Sequence, residues 1–186
     1  MMRGRIHADM TVLDAGCGGG RNLHYLIKNG AGVHGVDTDR DAVRRAGELA
    51  ARLAPGFPED RFRVAPVEEL PHDDASFDAV LSNAVLHFAR NEDHFASMLR
   101  EMWRVLRPGG VLFARVASSV GLEGRLTASE GARRYWLPDG SERFLVDEAY
   151  LMHWTAELDG KLLDPVKTTV VQDLRSMTTW VLRKEA

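Results

Sequence analysis

The sequence predicts a doubly wound α/β fold: a mostly parallel sheet with helices on both faces and an antiparallel C-terminal hairpin strand. Three observations predict it. Short apolar runs alternate with helical patterns as far as residue 117. A cluster of glycines follows the first apolar run directly. The tail breaks this rhythm with two β-rich stretches joined by a short link. Strand, helix, strand, helix at this spacing calls for right-handed parallel crossovers. Ligands of such sheets bind beyond the carboxyl ends of the strands, where the strand order reverses.

The elements follow in order. Thr11 to Ala15 is a short strand running into glycines, and Arg21 to Lys28 reads as a helix stopped by Asn29-Gly30. Gly32 to Asp37 is a second strand. Asp39 caps a helix to about Leu53, with Val43, Ala46, Leu49, Ala50 and Leu53 on one face. Pro55, Gly56 and Pro58 break it. Arg61 to Val64 and Phe77 to Ser82 are the third and fourth strands. Glu92 to Leu106 is an amphipathic helix burying Phe95, Met98, Leu99, Met102 and Val105. Pro108-Gly109-Gly110 separates it from a fifth strand, Val111 to Ala117. Val120 to Leu145 is polar and irregular, and Asp147 to Trp154 reads as a short helix. Leu162 to Val171 and Thr178 to Arg183 read as the two strands of the hairpin.

Composition narrows the function. The 186 residues are 45% hydrophobic and 27% charged, enough to bury a core without disulfide or metal. A net charge of −3 creates no global field toward nucleic acid or an anionic membrane. Cys17 is the single cysteine, so no intrachain disulfide forms, which suits a reducing cytoplasm. Residues 1–10 contain Arg3, Arg5 and Asp9 and lack the apolar run of a secretion signal. No stretch approaches the roughly 20 apolar residues of a membrane span. The expectation is a cytoplasmic protein with neither membrane nor nucleic-acid partner. The seven histidines lack metal-ligand spacing, so no metal is expected.

The strongest signal is Val12-Leu13-Asp14-Ala15-Gly16-Cys17-Gly18-Gly19-Gly20-Arg21-Asn22. Glycines here let the chain turn tightly from strand to helix and leave room for a ligand against the main chain. The helix start beyond them offers free amides and partial positive charge to an anion. A dinucleotide fingerprint wants glycines at relative positions one, three and six, and the sixth position here is Arg21. No Lys-Ser or Lys-Thr follows, so a phosphate-gripping P-loop is also excluded.

On these residues the chain resembles class I S-adenosylmethionine-dependent methyltransferases. Asp14-x-Gly16-x-Gly18-x-Gly20 is similar to their first motif and Gly35-Val36-Asp37 to their second. Glu68-Glu69-Leu70-Pro71 and Asp74-x-Ser76-Phe77-Asp78-x-Val80-x-Ser82 resemble the segment spanning strands three and four, followed by Leu86-His87. Leu99-x-Glu101-x-x-Arg104-Val105-Leu106-Arg107-Pro108-Gly109-Gly110 resembles the helix leading into strand five. The resemblance implies a Rossmann-like fold, S-adenosylmethionine as cofactor, and methyl transfer to a small-molecule acceptor. No linker divides the chain, so residues 1–186 read as one domain: a cofactor-binding half, 1–117, then a substrate-side insertion and hairpin, 118–186.

Roles follow from the resemblance and from chemistry together. Asp37 ends strand two, where a carboxylate can accept both ribose hydroxyls; Asp39 serves better as the helix cap. Asp14 orients the glycine turn or the ligand's amino end. Gly16, Cys17, Gly18, Gly20, Arg21 and Asn22 form the loop, with Cys17 as a small buried filler rather than a nucleophile. Thr38 touches the adenine or ribose edge. Val67 and Glu68 lie beside the adenine, the Val67 amide donating to the ring. Asn83 turns its carbonyl toward the ligand's ammonium. His87 is the catalytic candidate, either a general base or a substrate contact, with a packed histidine as the plain alternative. Phe88, Ser118, Ser119, Tyr135 and Trp136 form the acceptor pocket. Arg133-Arg134 either holds an anionic acceptor or is solvated surface.

Two departures from the family stand out. An Asp that often precedes the Val67 position and accepts from the adenine amine is Pro66 here, so either Glu68 compensates or shape and backbone suffice. Only about ten residues precede strand one, where relatives carry covering helices. A homodimer whose partner supplies the cover is the expectation tied to this. Competing readings are a non-catalytic module that keeps the fold, and a nicotinamide-dependent oxidoreductase, against which Arg21 counts. Ser82-Asn83-Ala84-Val85 stands where nucleic-acid amine methylases carry Asn/Asp-Pro-Pro-aromatic.

Overall fold

The computed structural model describes residues 5–185. Its parallel strands are β1 (Thr11–Ala15), β2 (Gly32–Asp37), β3 (Phe62–Val64), β4 (Phe77–Asn83) and β5 (Leu106–Ala117). Three helices intervene: α1 (His24–Lys28), α2 (Arg40–Leu53) and α3 (Glu92–Val105). After β5 come three short strands, β6 (Thr127–Ala128), β7 (Arg134–Trp136) and β8 (Glu142–Phe144), then α4 (Glu148–Glu157). The chain closes with β9 (Gly160–Leu162), β10 (Lys167–Val171) and β11 (Arg175–Lys184).

The main sheet runs β10-β11-β5-β4-β1-β2-β3. β1 pairs in parallel with both β2 and β4, and β4 with β5. β11 is antiparallel to β5 and β10, and β9 pairs with β11 beyond β10. The fold is therefore the expected doubly wound α/β sheet with an antiparallel C-terminal addition. Strand order reverses between β1 and β4, so the chain segments leaving these two strands diverge and open a crevice.

Side chains alternating along the strands build a core on each face of the sheet. Leu13, Val80, Leu112 and Ala114 meet Phe95, Leu99, Met102, Leu151 and Trp154 of α3 and α4. Val12, Val33, Ala79 and Leu81 meet Leu26, Val43, Ala46 and Ala50 of α1 and α2. Local chemistry sets the helix starts. Asp39 accepts from Asp41 N (2.8 Å) and Ala42 N (3.2 Å), and Asn91 accepts from His94 N (2.8 Å). Phe95, Met98, Leu99, Met102 and Val105 are all buried, as the helical spacing predicted.

Four local readings change. The helix expected from Arg21 starts only at His24, because the chain first makes turns in which Gly18 and Gly20 hold positive φ. The strand read from Val111 begins at Leu106 and carries Pro108-Gly109-Gly110 within it, with a register irregularity opposite Phe77 to Ala79. The segment 120–145 is not irregular throughout: β6, β7 and β8 form a small antiparallel sheet of their own. The strand read as Leu162 to Val171 is interrupted between β9 and β10, where Pro165 has no N–H to give.

Trp180 of β11 is fully buried, and its indole N–H donates to Thr155 Oγ1 of α4 (3.0 Å), fastening the antiparallel strand to the helix layer. Trp180→Ala should destabilise the protein by about 3–5 kcal/mol, read as a fall in the urea midpoint. A loss below about 1 kcal/mol would show that this contact does not anchor the strand.

Candidate functional site

The turn after β1 carries the crevice. Gly16 and Cys17 N–H both donate to Val36 O (2.9 and 2.8 Å), bending the chain toward β2. Gly16 has φ +87°, and a Cβ there would stand 2.4 Å from Val85 Cγ2, so only glycine fits between β1 and the segment after β4. At Gly18, also at positive φ, a Cβ would meet nothing within 4 Å, which leaves the backbone open to a ligand. Gly18 N–H donates to Asp37 Oδ2 (2.8 Å) and Asp39 N–H to Asp37 Oδ1 (3.0 Å), so the carboxylate is clamped at the end of β2.

A second set of bonds crosses the strand-order reversal. Asn83 Nδ2 donates to Asn22 Oδ1 (3.0 Å), and Asn22 Nδ2 donates to Asp14 Oδ2 (3.3 Å). The remaining oxygens, Asp14 Oδ1 and Asn83 Oδ1, are buried without a hydrogen-bond partner. Burial pushes the Asp14 carboxyl up to about 7; the Asn22 bond opposes this and the Asp37 charge adds to it. Cys17 is packed behind the turn, where a Cβ on Gly35 would come 2.9 Å from its Sγ. Burial, with Asp14 and Asp37 nearby, raises its thiol to about 12, which leaves it inert.

Two cavities meet at this end of the sheet. One, of about 400 Å³, is lined by Gly16, Gly18, Asp37, Thr38, Val67, Glu68 and Phe88, closed by Ala65, Val85 and Met98. The other, of about 350 Å³, is lined by His87, Arg115, Ala117, Leu137, Asp139, Arg143 and Met177. Ala84 lines both. It stands at φ +65° and is pinned there by its N–H to Arg115 O (2.8 Å). A strained, minimal side chain thus sits at the meeting point of the two spaces.

The remaining candidates fall on both sides of this boundary. Glu68 Oε1 is met by His94 Nε2 at 2.8 Å and Arg90 at 3.6 Å. Although burial works against it, Glu68's own N–H and the contacts with His94 and Arg90 hold the carboxylate below its usual range. His87 is buried at the second cavity, with its Nδ1 accepting from Ala117 N (3.3 Å). Arg21 is exposed and outside both cavities. The five-residue α1 is too short, and begins too late, to present the helix N-terminus expected at the glycine turn.

Of the acceptor-pocket candidates, only Phe88 borders one of the two cavities. Ser118 is fully buried and its Oγ accepts from Val120 N (3.1 Å). Ser119 Oγ donates to Val146 O, Tyr135 packs against the small core under the insertion, and Trp136 faces solvent. Arg133 is neither surface nor ligand site: it bridges Glu92 (3.3 Å) and Asp147 (3.0 Å) over the Tyr150 ring. Arg134 is tied to Glu142 and to Ala89 O (2.9 Å). The insertion instead offers Leu137, Asp139, Ser141 and Arg143. Arg115 had a sequence signal, a lone charge inside the apolar run Val111 to Ala117. Ala84 and Arg143 had none, since a backbone angle and a hairpin register place them.

A glycine turn open at Gly18, a clamped carboxylate ending β2 and a strand-order reversal between β1 and β4 define the class: the class I S-adenosylmethionine-dependent methyltransferase family. The family model described as methyltransferase domain matches residues 13–114, and the chain belongs to that family. It is 32% identical over 138 residues to a malonyl-[acyl-carrier protein] O-methyltransferase of Pectobacterium atrosepticum, covering 74% of this chain and 48% of that protein. It therefore spans about half the length of that relative. The 1,6-didemethyltoxoflavin-N1-methyltransferase of Burkholderia thailandensis, solved with its substrate and S-adenosylhomocysteine, is 26% identical with a TM-score of 0.73. That match covers 95% of this chain and 72% of the other. A methyltransferase structure from Methanosarcina mazei shares the fold at a TM-score of 0.79, with 22% identity, covering 99% and 96%.

S-adenosylmethionine is the cofactor of this class, and the residues fit it. Two buried oxygens without partners, on Asp14 and Asn83, suit a cationic amino group, and the open face at Gly18 suits a ligand laid against the backbone. No helix among the described residues is long and apolar enough to cross a membrane.

The raised Asp14 carboxyl has a consequence for stability without ligand. The folded chain keeps this proton between about pH 4 and 7 while the unfolded chain loses it, so the group's contribution falls as pH rises through that window. Asp14→Asn should therefore gain stability relative to the wild type between pH 5 and pH 7, measured by urea unfolding. An unchanged difference across that range would show that Asp14 ionises normally.

Proposed function

We propose that the chain methylates a small-molecule acceptor by in-line displacement, with S-adenosylmethionine in the Gly18 cavity and the acceptor in the His87 cavity. The observation that carries this reading is the meeting of the two cavities at Ala84. Bound there, the cofactor supplies a methyl group already activated by its sulfonium.

The chain's own work is positioning, which in well-oriented reactions can supply much of the rate enhancement. Asp37, fixed by two backbone amides, offers its free lone pairs to the ribose hydroxyls. Asp14 and Asn83 receive the amino group, and Asn22 braces both. Gly16, Gly18 and Gly20 shape the turn, and Cys17 supports it from behind. Thr38 borders the ribose. The Val67 amide faces the adenine ring. Glu68 takes the place of the Asp replaced by Pro66: its contacts with His94 and Arg90 both use Oε1, and Oε2 is offered to the adenine amine.

His87 acts here as a hydrogen-bond donor rather than a base. Its Nδ1 is occupied by Ala117 N, so the neutral ring carries its proton on Nε2. Burial, then Arg143 and Arg115, lowers its pKa to about 4. Phe88 stacks edge-on to this ring at 4.7 Å and walls the junction.

The direct test is formation of S-adenosylhomocysteine from S-adenosylmethionine across a panel of small acceptors; cofactor binding with no turnover would favour the non-catalytic alternative. Asp37→Ala should weaken cofactor binding by about tenfold to a hundredfold in calorimetric titration, the loss expected for charge-assisted hydrogen bonds. His87→Gln keeps a donor and should lower kcat/KM by less than about tenfold, whereas loss of a general base costs about a hundredfold or more. A fall of the larger size, with a titration near neutrality abolished, would restore His87 as the base.

A further inference from the structure

The acceptor cavity carries more positive charge than its own side chains neutralise. Arg115, Arg143 and Arg175 line it against a single carboxylate, Asp139. Asp139 is already engaged, by Arg175 Nε at 3.3 Å and by the N–H and hydroxyl of Ser141 (2.9 and 2.6 Å). Arg143 gives one N–H to Glu142 O (2.6 Å) and lies over the Phe88 ring at 4.9 Å, without a carboxylate partner among the described residues. Arg115 is half-buried between the fully buried Ala114 and Val116, and its guanidinium makes no hydrogen bond or ion pair among the described residues. Drawing such a cation out of water is costly unless an anion answers it.

The second observation is that, among the described residues lining the cavity, none is suited to remove a proton. The His87 Nδ1 is used, its Nε2 carries the ring proton, and the flanking arginines disfavour a further charge on it. Asp139 is held by Arg175 and Ser141. An acceptor that must be deprotonated in place finds no base, whereas one that arrives ionised needs none.

We infer that the acceptor is a small carboxylic acid, bound as its carboxylate by Arg115 and Arg143 and methylated on oxygen. This rests on the acceptor occupying the His87 cavity. A carboxylate has lone pairs to spare: some accept guanidinium N–H bonds while another attacks. A carboxylate oxygen pair forms the bond to the methyl carbon, the carbon–sulfur bond breaks, and its electrons neutralise the sulfonium. The product is a neutral methyl ester, and no proton moves. Losing its charge, the ester loses its hold on the arginines, which favours release.

The experiment measures S-adenosylhomocysteine formation with aliphatic and aromatic monocarboxylates, their primary amides, matched phosphate monoesters, and matched amines. Carboxylates alone should be turned over, with methyl esters as products. Arg115→Gln and Arg143→Gln should each raise KM for the acid by about tenfold or more, and leave cofactor affinity by calorimetry unchanged, which also shows that they fold. Arg143→Lys should recover part of the loss. Ser141→Trp, at the rim of this cavity, should abolish turnover of every acceptor. Equal turnover of amides or amines, lost in Ser141→Trp, overturns the carboxylate inference while leaving the cavity reading intact. Preference for phosphate esters overturns it in the same way. Turnover that survives Ser141→Trp overturns the cavity reading itself.

Discussion

Everything at the functional end of this protein depends on how the chain is held where strand order reverses. β1 and β4 lie side by side, yet the segments leaving them part company, and polar side chains bridge the gap. Asn83 donates to Asn22, and Asn22 to Asp14, so the ends of both strands and the turn between them are one hydrogen-bonded unit. Asp37 ties the same turn to β2 through Gly18. These bonds leave two buried oxygens without partners, an arrangement with a desolvation cost that a cationic group placed there would offset.

The second cavity has a different origin. It arises where the insertion after β5, built from β6, β7 and β8, is folded back over the sheet by a small core in which Leu122, Leu137 and Leu145 meet Ala117 of β5 and Met177 of β11. The pair Arg133 and Arg134 is consumed in fastening that insertion to α3, α4 and the turn after β4. Arg143 and Asp139 are thereby left facing Arg115 of β5. Charge that looks similar in the sequence thus divides into structural ties and free guanidinium groups, according to whether a carboxylate lies within reach.

Much of the fold was legible because its signals are local. The short apolar runs of β1, β2 and β4 mark strands buried on both faces, the spacing of Phe95 to Val105 marks α3, and Asp39 announces the start of α2 with its own side chain. The extent of α1 was not legible, since helical residues at 21–23 are overruled by the turns that Gly18 and Gly20 impose. Nor was the small sheet of 127–144, whose strands of two or three residues are too short to show a period.

The sequence by itself determined the doubly wound class, the glycine turn and the carboxylates of Asp14 and Asp37, because these follow from chain periodicity and from residues close together along the chain. Only the tertiary structure decided which side chains face the second cavity. Ser118, Ser119, Tyr135 and Trp136 have suitable chemistry but spend it on packing, backbone bonds or solvent, while Arg115, Arg143 and Ala84 reach the cavities. The reason is that β5, the insertion and the turn after β4 are distant in sequence, and side-chain direction there is set by inter-strand register and one left-handed backbone angle, neither of which a local pattern encodes.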